Sequence, residues 1–217
     1  MHIPIEQIIT LLHEANYGTL ATHSQHLPGY PFATALPYAP DWQHRPVFLI
    51  SRLAEHTKNL QKDARASFLI AKPDNGRVLS GARMTIVGDM QRCEDDEDLV
   101  VRYRRYQPDA EQYLALEDFA FYRLEPRQIR MIAGFGKMGW TDAKNIIEAP
   151  QLSLAEEAKL MIELSGELSP GVKLLGIDCF VLDLNIDQKR ERQKFHESPI
   201  AIADMTESAR RLVRNIG

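Results

Sequence analysis

The sequence predicts an α+β protein: a small antiparallel β-barrel followed by a smaller αβ unit. Six or seven short apolar runs, separated by turn residues, lie within residues 18–134 and favour a barrel over a sandwich. Strand–helix alternation is sparse and no GxGxxG motif follows a strand, which argues against a doubly wound parallel sheet. The pattern changes after the barrel, so we expect two domains, 1–145 and 150–217.

The first element is predicted to be an amphipathic helix that ends before Gly18. Its apolar residues recur at helical spacing: Ile5, Ile8, Ile9 and Leu12. A second helix is expected over 53–62, and Asn75-Gly76 predicts a tight hairpin turn. The extended runs around these features are 18–22, 32–39, 47–51, 66–71 and 82–92.

Residues 95–116 predict a polar helix that is broken at Gln107-Pro108. Acidic residues at its start and the arginines of 102–105 match the helix dipole, and we expect the arginines to be solvated. Two strands, 119–126 and 128–134, then complete the barrel.

The αβ unit begins with a capping box, in which Ser153 and Glu156 open a helix through about Ser165. Residues 174–187 predict one strand or a hairpin, and 193–196 predict another strand. The last element is a closing helix over 199–216.

Composition excludes several classes of protein. The 217 residues are 44% hydrophobic and 26% charged, as in soluble globular proteins. No apolar run is long enough to span a bilayer, and Glu6 and Glu14 interrupt the N-terminal apolar pattern, so we expect a cytoplasmic protein without a signal peptide. The net charge of −4 argues against a nucleic-acid partner. Cys93 and Cys179 lack metal or redox spacing, and both are expected to be free.

The unit from Val47 to Ile70 is the most informative stretch for function. An apolar strand ends in Ser51-Arg52, and the helix that follows carries His56, Thr57 and Asn59. Backbone N–H groups at a helix start, hydroxyls and a guanidinium are suited to a phosphate. Ser at an N-cap and an exposed Arg are also ordinary features of a helix start, so the pattern alone leaves both interpretations open.

Together with GYPFATALPYA (29–39), this unit resembles the split-barrel flavoproteins related to pyridoxamine 5'-phosphate oxidase, and more closely their haem-utilisation branch. The resemblance implies an FMN-binding split barrel that forms a homodimer, in which one subunit gives Ser51 to Asn59 and the other gives residues around Arg83 or Lys137. Residues 153–217 are similar to the αβ module appended to many haem-utilisation proteins. The implied FMN contacts are Thr34, Ser51, Arg52, His56, Thr57, Asn59, Arg83 and Lys137.

Departures from the oxidase argue against pyridoxamine phosphate as the substrate. Leu53 stands where the oxidase has a lysine after its Ser-Arg pair. Ile132 and Met138 stand near the places of the tryptophan and arginine with which the oxidase grips substrate and cofactor. We also expect apolar strand residues to be covered by the dimer interface, including Phe119, Phe121 and Met131.

The seven histidines show no HExxH spacing, and no metal site built from protein side chains is predicted. His196, in the second domain, is a candidate iron ligand if haem is bound, although a partly exposed histidine at a strand end is the favoured interpretation. No serine or cysteine is flanked like a nucleophile, so no catalytic acid or base is nominated and the cofactor would carry any chemistry.

These observations leave three functions open. The preferred one is an FMN-dependent oxidoreductase that acts on an unidentified small substrate. The alternative is a haem-binding or haem-degrading protein of iron utilisation, and the third is a binding module without catalysis.

Overall fold

The computed structural model describes residues 3–94, 96–134, 136–196, 198 and 200–214. The chain starts with helix α1 (Ile5–Glu14) and strands β1 (Tyr17–His23), β2 (Pro31–Pro37), β3 (Ala39–Pro40) and β4 (Pro46–Ser51). Helix α2 (Glu55–Lys62) precedes strands β5 (Arg65–Asp74) and β6 (Arg77–Arg92). There follow α3 (Glu97–Tyr106), a 3-10 turn (Pro108–Ala110), α4 (Glu111–Leu114), β7 (Phe119–Ile132), β8 (Met138–Asp142) and α5 (Lys144–Ile147).

Within the described residues, eight strands form one curled antiparallel sheet in the order β2-β1-β5-β6-β7-β4-β3, with β8 paired to β7. Directly opposed residues share a face, and the row Leu20, Phe68, Ile86 and Ile129 crosses four strands on the inner face. Helix α1 packs its apolar stripe, centred on Ile8, into the same core. The predicted α+β class and antiparallel sheet are confirmed.

The long hairpin of β5 and β6 depends on the turn that the sequence predicts. Asn75 and Gly76 have φ angles of 46° and 77°, the left-handed values that a two-residue hairpin turn requires. The strands extend beyond the predicted runs because this turn keeps them paired to their ends.

The prediction of two separate strands at 119–126 and 128–134 was wrong. β7 runs without a break through Pro126, because its pairing with β6 shifts register between Val87 and Gly88. A Cβ on Gly88 would lie 2.0 Å from the Glu125 carbonyl oxygen, so glycine allows the two backbones to approach there. Strand β8 was not predicted at all.

The C-terminal unit comprises α6 (Leu154–Leu164), β9 (Val172–Ile177), β10 (Val181–Ile186), β11 (Lys189–Lys194) and α7 (Ile202–Arg214). Its three strands form an antiparallel sheet of order β11-β10-β9. The capping box of Ser153 and Glu156 is present as predicted, and 174–187 forms a hairpin. The strand predicted at 193–196 starts at Lys189, since Asp187 and Gln188 turn the chain tightly.

The predicted closing helix corresponds to α7, and the ends of its predicted range, at 199 and 215–216, lie outside the described residues. The C-terminal unit has an apolar core of its own, and the division into domains 1–145 and 150–217 stays a prediction. None of the helices in the described part of the chain combines the length and hydropathy needed to cross a bilayer. Cys93 and Cys179 are both free.

Two residues expected at a subunit interface are buried within the chain instead. Phe121 is 4% exposed and packs with α3, and Met131 is 2% exposed in the barrel core. Register explains both positions, since their strand faces point toward these cores. Phe119 is half-buried.

Candidate functional site

The turn between β4 and α2 is tied to the segment just before β7. Ser51 Oγ donates a hydrogen bond to the Asp118 carboxylate and accepts one from the Leu53 N–H at 3.0 Å. The Arg52 N–H donates to the Asp118 carbonyl at 2.7 Å, and its exposed guanidinium donates to the Glu117 carbonyl at 3.2 Å. The Asp118 carboxylate therefore lies beside the Ser51 hydroxyl, which the sequence pattern predicts to contact a phosphate.

Helix α2 is fixed to the sheet by Asn59, which is fully buried. Its Nδ2 donates to Thr22 Oγ1 at 3.0 Å, and its Oδ1 accepts from the Gln25 N–H at 2.8 Å. Both ends of the amide thus have partners in the chain. Thr57 is equally buried, and its Oγ1 has no hydrogen-bond partner among the described residues.

A cleft of about 380 Å³ opens where β2 and β4 meet α2 and the segment after α3. Its walls are mainly apolar and aromatic. The apolar and aromatic lining includes Leu36, Leu49, Ala110, Tyr103, Tyr113 and Phe119. We call this space the cleft.

The polar residues on the cleft wall are few. Ser51 and His56 line it from one side, and Gln107 and Asp109 from the other. Burial lowers the pKa of His56 below its ordinary value, so the imidazole is favoured in its neutral form. Its Nε2 has no hydrogen-bond partner within the part of the chain that the structure describes. A neutral imidazole is a metal ligand and a weaker anion binder than imidazolium.

Thr34 lies close to this region. It is opposite Leu20 in the β1–β2 pair, and therefore on the inner face of the sheet. Leu36, two residues further on the same face, lines the cleft. Of the predicted site residues, the fold thus gathers Ser51, His56 and, at their edge, Thr34.

Arg83, Lys137 and His196 are placed elsewhere in the single chain. Arg83 donates from Nη1 to the carbonyls of Val78 and Leu79, at 3.1 and 3.2 Å, at the tip of the β5–β6 hairpin. Lys137 is exposed beside α1, in a groove that it shares with Lys72. His196 is exposed just beyond β11. None of the three lines the cleft.

A second polar region joins the barrel to the C-terminal unit. His13 Nδ1 lies 2.5 Å from Asp183 Oδ2, and His13 Nε2 lies 2.9 Å from His44 Nδ1. His44 is 2% exposed with a φ of 58°, a left-handed conformation that is uncommon outside glycine. Tyr106 also donates its hydroxyl to Asp183. We call this region the junction: His13, His44, Tyr106, Asp178, Asp183 and Arg192.

The junction contains a group with metal-ligand chemistry, since ligand atoms of His13, His44 and Asp178 lie within 4.8 Å of one another. The position of Arg192 argues against a metal cation between these three residues. Its guanidinium is 2.7 Å from Asp178 and 3.1 Å from Asp183, and so already supplies the positive charge that these carboxylates need. We interpret the group as a buried ion-pair network.

Sequence reasoning missed the junction and misplaced two arginines of α3. Arg102, expected to be solvated, is 3% exposed and contacts Glu157, and Arg105 is 3.0 Å from the same carboxylate. The C-terminal unit covers this side of α3. The pattern that could have revealed it is that Arg102 and Tyr106 share helical phase with the apolar Leu99.

Comparison with known proteins adds three similarities. Over 133 residues the chain is 35% identical to a protein of Arabidopsis thaliana called non-canonical heme oxygenase HOZ, chloroplastic, a match that covers 60% of this chain and 40% of that protein. The fold is similar to that of Atu2129 from Agrobacterium tumefaciens, a protein of unknown function, with a TM-score of 0.77 and 24% identity over 96% of this chain and 95% of the other. It is also similar to a heme binding protein from Mycobacterium smegmatis, with a TM-score of 0.62 and 24% identity over 99% of this chain and 98% of the other.

The chain spans less than half the length of the Arabidopsis relative, and the two structural similarities establish the fold alone. The family model described as CREG, beta-barrel matches residues 8–148, from α1 to just beyond α5. This match confirms the split-barrel fold and the resemblance to pyridoxamine-phosphate-oxidase-like proteins that the sequence suggests. The chain belongs to the CREG β-barrel family.

Proposed function

We propose that this protein binds haem in the cleft and takes part in haem breakdown. The observation that carries the proposal is the cleft itself: apolar and aromatic walls around a neutral imidazole, His56. Haem presents a broad apolar face and an iron that accepts imidazole nitrogen, so both features suit it. Bound there, haem would supply the redox chemistry, while the chain would bind and orient it.

The sequence similarity to a heme oxygenase supports this choice over a flavin. The matched region is 35% identical, and the relative's name gives it haem as its substrate. Because the relative is more than twice as long as the matched region, its whole activity is part of our proposal for this chain. The cytoplasmic location remains a prediction, since the relative's name places that protein in the chloroplast.

FMN is the second candidate, and the exposed guanidinium of Arg52 favours it. Among the described residues Arg52 uses one guanidinium nitrogen, for the Glu117 carbonyl, which leaves the others available to a phosphate. The Asp118 carboxylate beside Ser51 opposes this, because it would repel a phosphate bound at the same hydroxyl. The fit of the residues to FMN is therefore partial, and an FMN oxidoreductase ranks second.

We also propose a homodimer, supported by the outer face of the large sheet. Opposed residues on that face are small or apolar across the four strands β2, β1, β5 and β6, and β7 then contributes Gln128 and Arg130. Three exposed large hydrophobic residues lie on this face: Leu69, Val87 and Trp140, which are 42%, 38% and 60% exposed. A face of this kind suits a self-complementary interface with a second copy. Such a dimer would bring Arg83 or Lys137 of one chain toward the cleft of the other, as the family resemblance implies.

Parallel titrations of the purified protein with hemin and with FMN test the proposal. We expect hemin to bind one per chain with a sharp Soret band, and His56→Ala to shift that band. His26→Ala serves as the matched control, because His26 is exposed and does not line the cleft, whereas His196→Ala tests the other candidate iron ligand. A shift of the Soret band in His196→Ala, and not in His56→Ala, would identify His196 as the iron ligand. FMN binding without hemin binding would favour the flavoprotein.

The FMN alternative has its own test in Arg52→Ala. If Arg52 contacts the phosphate, this change should weaken FMN binding by about 1.5–3 kcal/mol, the contribution of a charge-assisted hydrogen bond. Unchanged calorimetric affinity in the variant would remove Arg52 from the site. Sedimentation at low micromolar concentration tests the dimer, and a stable monomer that binds hemin fully would contradict it.

A further inference from the structure

Helix α3 and the turn that follows form one wall of the cleft. Tyr103 contributes its ring from the helix, and Gln107, Ala110 and Tyr113 contribute from the residues just after it. The Tyr103 hydroxyl also accepts a hydrogen bond from the Leu49 N–H at 3.3 Å, on the opposite wall. Any displacement of α3 would therefore change the width of the cleft.

The other side of α3 is held by the C-terminal unit. Glu157 of α6 is 1% exposed and bonds to Arg102, and its second oxygen is 3.0 Å from Arg105 Nη2. Arg105 Nε also donates to the Leu175 carbonyl of β9 at 2.9 Å. One carboxylate thus neutralises two arginines that lie about one turn apart on the helix that forms the cleft wall.

The packing around Glu157 leaves α3 little freedom. Glu157 Oε1 accepts the Ile177 N–H at 3.2 Å, so the carboxylate is itself fixed to β9. A Cβ on Gly176 would lie 2.3 Å from the Tyr106 hydroxyl and 2.9 Å from Glu157 Oε1, so β9 is in direct contact with this cluster. Close-packed helices move as units, and a shift at one face is transmitted to the other.

We propose that Glu157 is a positioning residue, through which the C-terminal unit holds the α3 wall and sets the ligand affinity of the cleft. This inference rests on the proposed function, because it concerns the same cleft. No described residue of the C-terminal unit lines the cleft, so this unit would act on ligand binding through α3. Glu157 acts indirectly: it contacts Arg102 and Arg105, and these belong to the helix whose Tyr103 lines the cleft.

The test is Glu157→Gln in the full-length protein, with hemin as the first probe and FMN as the second. The change keeps the shape of the side chain and leaves two arginines without their counter-charge. We expect the hemin dissociation constant to rise at least tenfold and amide hydrogen exchange in residues 97–114 to become faster, while exchange in the β5–β6 hairpin stays unchanged. Amide exchange reports how readily α3 opens locally, independently of any ligand.

Glu167→Gln is the matched control. Glu167 also makes ion pairs in the C-terminal unit, at 2.7 Å to Arg210 and 3.5 Å to Arg214, and none with α3. It should leave both the hemin affinity and the exchange of 97–114 as in the wild type. If Glu157→Gln does not fold, Arg105→Gln removes one contact of a half-buried pair, and a rise of about threefold in the dissociation constant is expected.

Unchanged hemin affinity in Glu157→Gln with faster exchange in α3 would overturn the inference, as would weaker binding without any change in exchange. Equal effects of Glu157→Gln and Glu167→Gln would also overturn it, because they would reflect general loss of stability. Failure of the wild type to bind either probe would instead refute the proposed function, a result read from the wild-type titration alone.

Discussion

The cleft and the junction both hold polar side chains away from water, and they do so in opposite ways. At the junction the carboxylate of Asp183 contacts His13, Tyr106 and Arg192. The junction side chains form ion pairs and hydrogen bonds with one another, and within the described residues His44 Nε2 and Arg192 Nε are the buried atoms there that have neither. In the cleft the walls are apolar, and the His56 ring has a free Nε2 among the described residues.

The difference indicates that the junction holds the two sheets together, whereas the cleft is suited to binding a ligand. A buried polar group is costly unless it has a partner, so the interlocked groups of the junction stabilise the contact between the two sheets. A weakly polar cleft contributes little to stability and leaves its surface for a ligand. Polar substitutions at the junction should therefore lower the free energy of unfolding, whereas those in the cleft should act mainly on binding.

The largest effect is expected from Asp183→Asn. The change removes the charge between His13 and Arg192, both nearly fully buried, and should lower the free energy of unfolding by about 3–5 kcal/mol, as for other buried ion pairs that lose one partner. Urea denaturation measures it. Glu207→Gln, which removes an exposed pair with Arg211, is the control and should stay within about 0.5 kcal/mol. Equal effects of the two changes would show that the buried junction contributes no more to stability than a surface ion pair.

Lowering the pH is expected to have a smaller effect on the free energy of unfolding. Burial lowers the pKa of His44 to about 3, and burial also lowers that of His13. The unfolded chain takes up a proton near pH 6.5 that the folded chain refuses, so stability is complete above that pH and falls as the pH decreases toward 3. Between pH 7.5 and 5, His44 alone should account for about 2 kcal/mol.

His44→Asn tests this pH dependence, because asparagine does not titrate and tolerates the left-handed backbone at this position. The variant should have a flatter dependence of the urea midpoint on pH than the wild type. The control, His26→Asn, changes an exposed loop histidine. If the wild-type midpoint is independent of pH from 7.5 to 5, the buried histidines do not couple the junction to protonation.

The fold was predictable because its determinants are local. Asn75-Gly76 sets the long hairpin, and the pair Ser153 and Glu156 opens α6, each within a few residues. Local patterns failed where pairing overrides them: Pro126 suggested a break that the register shift at Gly88 absorbs. Strand β8 was missed because it is short, holds Gly139 and forms only by pairing with β7.

The two polar regions differ in the same way. Ser51 and His56 are five residues apart across one turn, so the sequence already shows them together. His13, His44 and Asp183 come from three distant segments, and the closest two are 31 residues apart. Each is unremarkable in its own stretch, and only the docking of the C-terminal unit brings them into contact. Arg83 and Lys137 lie away from the cleft in the single chain. Only the proposed dimer would bring them near it, and one sequence does not position a second copy.

The smallest expected effect is that of a change at Tyr103, and Tyr106 offers a closely matched comparison. The two tyrosines lie one turn apart on α3, and Tyr103 lines the cleft whereas Tyr106 belongs to the junction. Tyr103→Phe removes the acceptor of a long bond from the Leu49 N–H and should lower the free energy of unfolding by about 0.5–1 kcal/mol. Tyr106→Phe removes a hydrogen bond to the ionised Asp183 and should lower it by about 2 kcal/mol. Both changes delete one hydroxyl from the same helix. The difference between their free energies of unfolding, measured by urea denaturation, therefore reports the difference between the cleft and the junction. A larger loss at Tyr103 would mean that the cleft, like the junction, is held together by its polar groups, and the contrast between the two regions would fail.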